Sequence, residues 1–333
     1  MIQSEQSCAQ VVKEIGADNV SGASELSRKA ASSFVLFASE NPANSGQEYF
    51  RGLLKLGADL ILSQPHMASI FNMVNSILYS VEQVLPNLSV SELAGFTGEK
   101  AEEFIGNSLS AIQLIAENGE GLIAQDSKVL TFSASGSILA ILKKAKEAGR
   151  DFEVVVSESR PMLEGRLLAR FLGNAKIPVT LITDASVGVF AKDADLFLAG
   201  ADSVSESSFV NKVGTFYLCL LSREYHVPLY VACERSKFIS SRWRPSPHAG
   251  GDPSEILDSE LLNVRAENPY FEEIPLSFCR QVITNEGFFS PKDVPRYIRK
   301  TRLCQDLMER IRDPRPSAPL ASGDHLFGPQ RGR

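Results

Sequence analysis

Apolar positions recur every three or four residues from about residue 7 to residue 118, with few β-branched runs, which predicts a wholly helical N-terminal segment. Leu53, Leu56, Leu60 and Ser63 mark one stripe; Ile70, Val74, Ile77 and Val81 mark another. Helix breaks are expected at Asn41-Pro42, Gln64-Pro65 and Leu85-Pro86, because proline restricts the residue before it and donates no backbone hydrogen bond. From Ser127 the rhythm changes to short apolar runs, each followed by an amphipathic stretch of helix length. That alternation predicts βαβ units and a parallel sheet buried on both faces. The expected strands are Val129–Phe132, Glu153–Val156, Val179–Thr183, Leu196–Ala199, Leu229–Cys233 and Gln281–Ile283. In the helix after the first strand, Ile138, Ile141, Leu142 and Ala145 share a face and Gly149 stands at the C-terminal cap.

Residues 239–267 hold turn formers without a sustained period and read as a long connection. The last 23 residues contain four prolines and three glycines with little to bury, which predicts a disordered tail. The fold class is therefore α/β: a helical domain over residues 1–120, a parallel-sheet domain over 121–310 and a tail over 311–333. No internal repeat is visible.

The chain has 333 residues, 44% of them hydrophobic, enough for a substantial core, and a single core stops growing at roughly 250–300 residues. Lys and Arg number 34 against 40 Asp and Glu, a net charge of -6, so a broad basic surface for direct nucleic-acid binding is not expected. No apolar run reaches the roughly 18 residues of a membrane span and the start lacks a positive region, so a cytoplasmic protein with no membrane partner is expected. The five cysteines are odd in number and never in C-x-x-C spacing, and the four histidines are scattered. Buried thiols are expected; a disulfide framework, a metal site and a resident cofactor are not. Neither G-x-G-x-x-G nor a Walker A sequence occurs.

In sheets of this kind ligands bind outside the carboxyl ends of the strands. Ser133 to Ser137, including Ser135, follow the first strand and open a helix, so they read either as a phosphate cradle or as an ordinary serine cap. Asp202 follows the fourth strand, and Asn211-Lys212-Val213-Gly214-Thr215 reads as the opening of the next helix. Together they suggest an anion site with an acid/base group beside it, against the alternative of a surface Asp, a capping Asn and a solvated Lys. Arg160 reads either as a further anion contact or as an ion-pair partner of Glu158 or Glu164.

Taken in order, Ser157-Glu158-Ser159-Arg160-Pro161-Met162-Leu163-Glu164-Gly165-Arg166, Gly200-Ala201-Asp202 with Asn211-Lys212-Val213-Gly214-Thr215, Glu234-Arg235-Ser236-Lys237-Phe238, and Asn268-Pro269 with Thr284-Asn285-Glu286-Gly287 form a pattern. It resembles the superfamily that joins the alpha, beta and delta subunits of translation initiation factor 2B to methylthioribose-1-phosphate isomerase and ribose-1,5-bisphosphate isomerase. The resemblance implies a helical N-terminal domain and a Rossmann-like C-terminal domain. It also implies an acid/base pair in the isomerases, a cysteine after the first strand and an aspartate after the fourth. Here the aspartate is Asp202 and the cysteine position is Ser133. A thiol with a pKa of about 8.5 can be tuned to move a proton near neutrality, whereas a serine hydroxyl is a far weaker acid.

The resemblance further places an isomerase arginine before Gly22-Ala23, where this chain has Ser21, and a second at Gln64. Neither Ser nor Gln supplies a guanidinium fork for phosphate. The expectation is a non-catalytic, regulatory, initiation-factor-2B-like protein that binds a phosphosugar or nucleotide through Arg160, Asn211 and Lys212. The alternative is an aldose-1-phosphate isomerase working through Asp202. A homodimer is expected, with a hetero-oligomer of related subunits as the other assembly that the resemblance allows.

Overall fold

The computed structural model describes residues 7–18, 21–40, 43–243, 250–259 and 261–312. The N-terminal unit consists of α1 (Cys8–Ala17), α2 (Ala23–Glu40), α3 (Gly46–Ser63), α4 (Ala68–Val84) and α5 (Val90–Gly119). Ser7, Ser45 and Ser89 cap α1, α3 and α5 with their side chains, and Glu92 completes a capping box with Ser89. Gln64 and Leu85 are the C-caps of α3 and α4, where prolines follow; the expected break at Asn41-Pro42 lies outside the described residues. The two apolar stripes face inward, with Leu53, Leu56, Leu60, Ile70, Val74, Ile77 and Val81 all buried in one cluster with Phe34 and Tyr49.

The second unit runs β1 (Ser127–Phe132), α6 (Gly136–Glu147), β2 (Phe152–Ser157), α7 (Glu164–Asn174), β3 (Val179–Ile182), α8 (Val187–Ala191), β4 (Leu196–Gly200), β5 (Ser203–Val204), β6 (Ser208–Lys212), α9 (Thr215–Tyr225), β7 (Leu229–Ala232), β8 (Phe271–Pro275), β9 (Gln281–Thr284), β10 (Gly287–Phe289), α10 (Val294–Ile298) and α11 (Gln305–Arg312). Among the described residues the main sheet has the order β10-β9-β7-β4-β1-β2-β3, parallel except for β10. The chain order reverses between β1 and β4, so the carboxyl ends of those two strands form the crevice in which a ligand can sit. After α6, Gly149 adopts φ 82° and donates to Lys146 O at 3.0 Å, while Arg150 N donates to Ala145 O at 3.2 Å, closing the helix as a Schellman motif.

The six expected strands all form, with shifts of a residue or two at their ends. Four further strands do not follow from the apolar pattern. β5, β6 and β8 make a separate antiparallel sheet of order β5-β6-β8, and β10 folds back on β9. Asn211 and Lys212, expected to open a helix, instead end β6; the helix starts three residues after Lys212, at Thr215. The sheet is also not buried on both faces throughout. Thr180 and Leu181 of β3 are exposed, because that strand ends the sheet with no further strand beside it among the described residues.

Residues 239–267 form a long connection whose described part contains one short 3-10 turn at Pro253–Glu255; residues 244–249 and 260 lie outside the described set. Of the segment expected as a tail, Ile311 and Arg312 close α11 and residues 313–333 lie outside the described set. Leu307 and Met308 of α11 are buried in the apolar cluster of the helical unit, so the chain returns to its N-terminal half. Burial pushes the Cys219, Cys233, Cys279 and Cys304 thiols up to about 12; Cys8 is partly exposed. Among the described residues no helix is long and apolar enough to cross a membrane.

Candidate ligand site at the strand carboxyl ends

Ser133 follows directly on β1, with φ 65°, and its backbone N–H donates to Ser159 Oγ at 2.8 Å. Two residues on, Ser135 caps α6 by accepting from Ile138 N at 3.5 Å, as the capping alternative has it. Gly200, at the end of β4, lies against Ser135. A Cβ there would stand 2.9 Å from Ser135 Cβ and 3.5 Å from Asn211 Oδ1, so the missing side chain lets the three groups converge.

The turn after β2 is organised by Asp184. One carboxylate oxygen accepts from the Ser157 hydroxyl and from Ser159 N at 2.8 Å, and the other from Arg160 N at 2.7 Å. Gly165 fits beneath this turn only without a side chain, since its Cβ would lie 1.7 Å from Ser157 O. Arg160 pairs with neither of its expected carboxylates. Its side chain is exposed and approaches Glu255 O at 3.5 Å, while Arg166 holds Glu158 through Nε at 3.1 Å and Nη2 at 2.6 Å.

Glu164 faces the other way. Its Oε1 lies 2.9 Å from Nζ of Lys212, which is buried and stands 5.0 Å from the centre of the Tyr270 ring. Glu164 Oε2 is buried without a hydrogen-bond partner among the described residues. Lys212 is thus neither solvated nor free: Glu164 neutralises it. Asn211 donates to Thr215 Oγ1 at 2.9 Å, and that hydroxyl donates to Lys212 O at 2.7 Å, locking the β6–α9 corner. The N-terminus of α9 is already filled by a carboxylate, because Glu272 Oε1 accepts from Gly214 N at 2.8 Å and Phe216 N at 2.7 Å. Burial pushes the Glu272 carboxyl up, and those backbone donors pull it back.

Asp202 is half-buried at the mouth of the crevice, and its carboxylate makes no hydrogen bond or ion pair among the described residues. Burial pushes its pKa above the usual carboxylate range, while the Lys237 and Lys212 ammoniums draw it down. Lys237 is placed by donating to Ala201 O at 2.8 Å. Around Asp202, then, two acids (Asp202, Glu164) face two cations (Lys212, Lys237), and no base is hydrogen-bonded to the Ser133 hydroxyl among the described residues.

The helical unit meets this rim through the Glu234–Phe238 turn. Asn72 of α4 donates to Ser236 O at 2.6 Å and to Phe238 O at 2.8 Å, and Arg28 reaches Glu234 through the Ser108 hydroxyl at 3.1 and 3.0 Å. Ala23 O accepts from Ser69 Oγ at 3.0 Å, one turn before Asn72, while Gly22 is exposed with open space where a side chain would be. Gln64 is occupied elsewhere: its amide donates to Ile15 O at 2.8 Å and Asp18 O at 3.1 Å, closing α1. Asp184, Glu164 and Lys237 stand in polar stretches just past the strands or in the motif stretches but carry no site role in the sequence reading, and Glu272, the second residue of β8, gives no such signal.

Residues 19–291 match the model of the Initiation factor 2 subunit family. An eIF-2B subunit 2-like protein of Pyrococcus furiosus is 33% identical over 287 residues, covering 84% of this chain and 95% of its own. A ribose 1,5-bisphosphate isomerase of Archaeoglobus fulgidus is 31% identical over 295 residues, covering 85% of this chain and 90% of its own. The crystal structure of Pyrococcus horikoshii OT3 translation initiation factor eIF-2B superposes with a TM-score of 0.74 at 29% identity, covering 87% of this chain and 98% of that one. With the same helical unit, the same sheet and a match across most of its length, this chain belongs to the Initiation factor 2 subunit family.

Proposed function

We propose that this chain is a non-catalytic, regulatory member of its family that binds a phosphosugar or nucleotide at the carboxyl ends of β1, β4 and β6. The observation that carries the reading is Ser133. It stands at the end of β1 beside the crevice as a hydroxyl, with no base bonded to it among the described residues, so it is a poor partner for moving a proton. The neutralised Lys212 supports the same reading, since a site that must polarise a sugar phosphate gains from an unpaired ammonium.

A second reading is an aldose-1-phosphate isomerase in which Asp202 moves the proton. It is favoured by the raised pKa and unpartnered carboxylate of Asp202, a combination suited to a general acid or base, and by the likeness to the Archaeoglobus fulgidus isomerase. Isothermal calorimetry with ribose 1,5-bisphosphate, methylthioribose 1-phosphate and hexose phosphates, followed by NMR of the bound sample, separates the two. Binding without a ketose product is expected; turnover by the wild-type chain would overturn the first reading. The protein acts in this proposal as a cytoplasmic homodimer, or in a hetero-oligomer with related subunits, without direct contact to nucleic acid or membrane.

A further inference from the structure

The Glu234–Phe238 turn sends its two cations to opposite sides. Lys237 points to Ala201 and the rim, whereas Arg235 and Ser236 line a separate cavity of ≈ 400 Å³ between α4, α5 and the chain at Thr301-Arg302. Its volume falls in the range of small-molecule sites, roughly 300–1,000 Å³. Two guanidiniums, Arg235 and Arg302, lie on its wall, and no Asp or Glu does among the described residues.

Neither arginine has an ion-pair partner there. Arg235 donates Nη2 to Tyr297 O at 3.0 Å, its backbone N to Asn285 Oδ1 at 2.9 Å, and leaves Nε buried with no partner. The acid whose charge reaches Arg235, Glu286, makes no ion pair with it. Arg302 is exposed and its Nη1 stands 3.5 Å from Tyr79 Oη. Ser76, Tyr79, Ser80 and Ser236 share the wall, with the Ser80 hydroxyl donating to Ser76 O at 2.9 Å and that of Ser236 to Glu234 Oε2 at 3.4 Å, and Phe104 and Phe238 provide its apolar part.

From this arrangement we propose a second ligand site, separate from the rim, that takes a phosphate-bearing small molecule between Arg235 and Arg302. Two guanidinium forks without an ion-pair partner among the described residues suit the three oxygens and the fuller charge of a phosphate better than a single carboxylate. The apolar rings leave room for the remainder of an organic phosphate. The site does not depend on the rim's being catalytic or regulatory, because none of Ser133, Glu164, Asp202, Lys212 or Lys237 lines it.

Inorganic pyrophosphate is the probe, titrated calorimetrically into the full chain, with malonate as the carboxylate control. Pyrophosphate is expected to bind at least tenfold more tightly than malonate, and Arg302→Gln to weaken it at least fivefold. Arg302 is exposed, so that variant should fold; Arg235→Gln, with a melting curve to confirm folding, should weaken it as well. Equal affinity for malonate, no binding of pyrophosphate, or loss of binding through Lys212→Ala but not Arg302→Gln would overturn the proposal.

Discussion

Glu164 pairs with Lys212, and in the proposed reading this one pair sets how tightly the rim binds an anion. A phosphate approaching Lys212 must compete with a carboxylate already 2.9 Å away. Glu164→Gln removes the competitor while keeping the shape. A charge-assisted contact is worth about 1.5–3 kcal/mol, so the variant should bind ribose 1,5-bisphosphate roughly tenfold or more tightly in calorimetry. An unchanged affinity would remove Lys212 from the list of ligand contacts. Asp202 makes a prediction in pH. Its folded pKa lies above the unfolded value, so its favourable contribution is complete below the unfolded pKa of about 3.9 and is lost as pH rises through the folded one. Asp202→Asn, which cannot ionise, should therefore melt higher than wild type at neutral pH and level with it near about pH 3. Equal melting at neutral pH would mean that the two lysines offset the burial completely.

Elements meet at the rim through glycines where no side chain fits. Gly165 brings the first turn of α7 onto the end of β2, and Gly165→Ala would drive a methyl into Ser157 O. Overpacking of this kind costs about 1–3 kcal/mol and more when backbone is the obstacle, a loss that urea denaturation would read directly. The elements also explain what the sequence could and could not disclose. β1, β2, β4 and β7 are covered on both faces and so appear as largely apolar runs such as Leu196–Ala199. β6 and β8 carry Asn211, Lys212, Glu272 and Glu273, whose partners come from each other and from α7 and α9, so their polarity imitates a loop. The positions of Ser133, Asp202 and Ser135 followed from the rule that chemistry lies just past a strand. The Glu164–Lys212 pair did not, because its members are 48 residues apart and join only when α7 docks beside β6.

At the scale of the whole molecule, the helical and α/β units meet at the Glu234–Phe238 turn, through Asn72 and the Arg28–Ser108–Glu234 relay, and along α5, whose Ile115 packs into the sheet-side cluster and whose Asn118 donates to Thr284 O at 2.8 Å, with α11 returning to the helical side. Among the described residues nothing covers the face around edge strand β3, where Phe171 is 46%, Leu181 45% and Val189 66% exposed. An uncovered strand edge flanked by apolar side chains is a natural seat for a second subunit. The wild-type chain should sediment as a dimer, and Phe171→Asp with Leu181→Lys should shift it to a monomer; a monomeric wild type would rule out that assembly. The carboxylate of Glu272 on the α9 N-terminus has a broader consequence. With that fixed backbone field satisfied from within, recognition at the rim, in the proposed reading, rests on side chains rather than on the helix terminus. In the proposed reading, a handful of point changes would then move such a scaffold between sensing and chemistry, in keeping with its likeness to both an eIF-2B subunit 2-like protein and a ribose 1,5-bisphosphate isomerase.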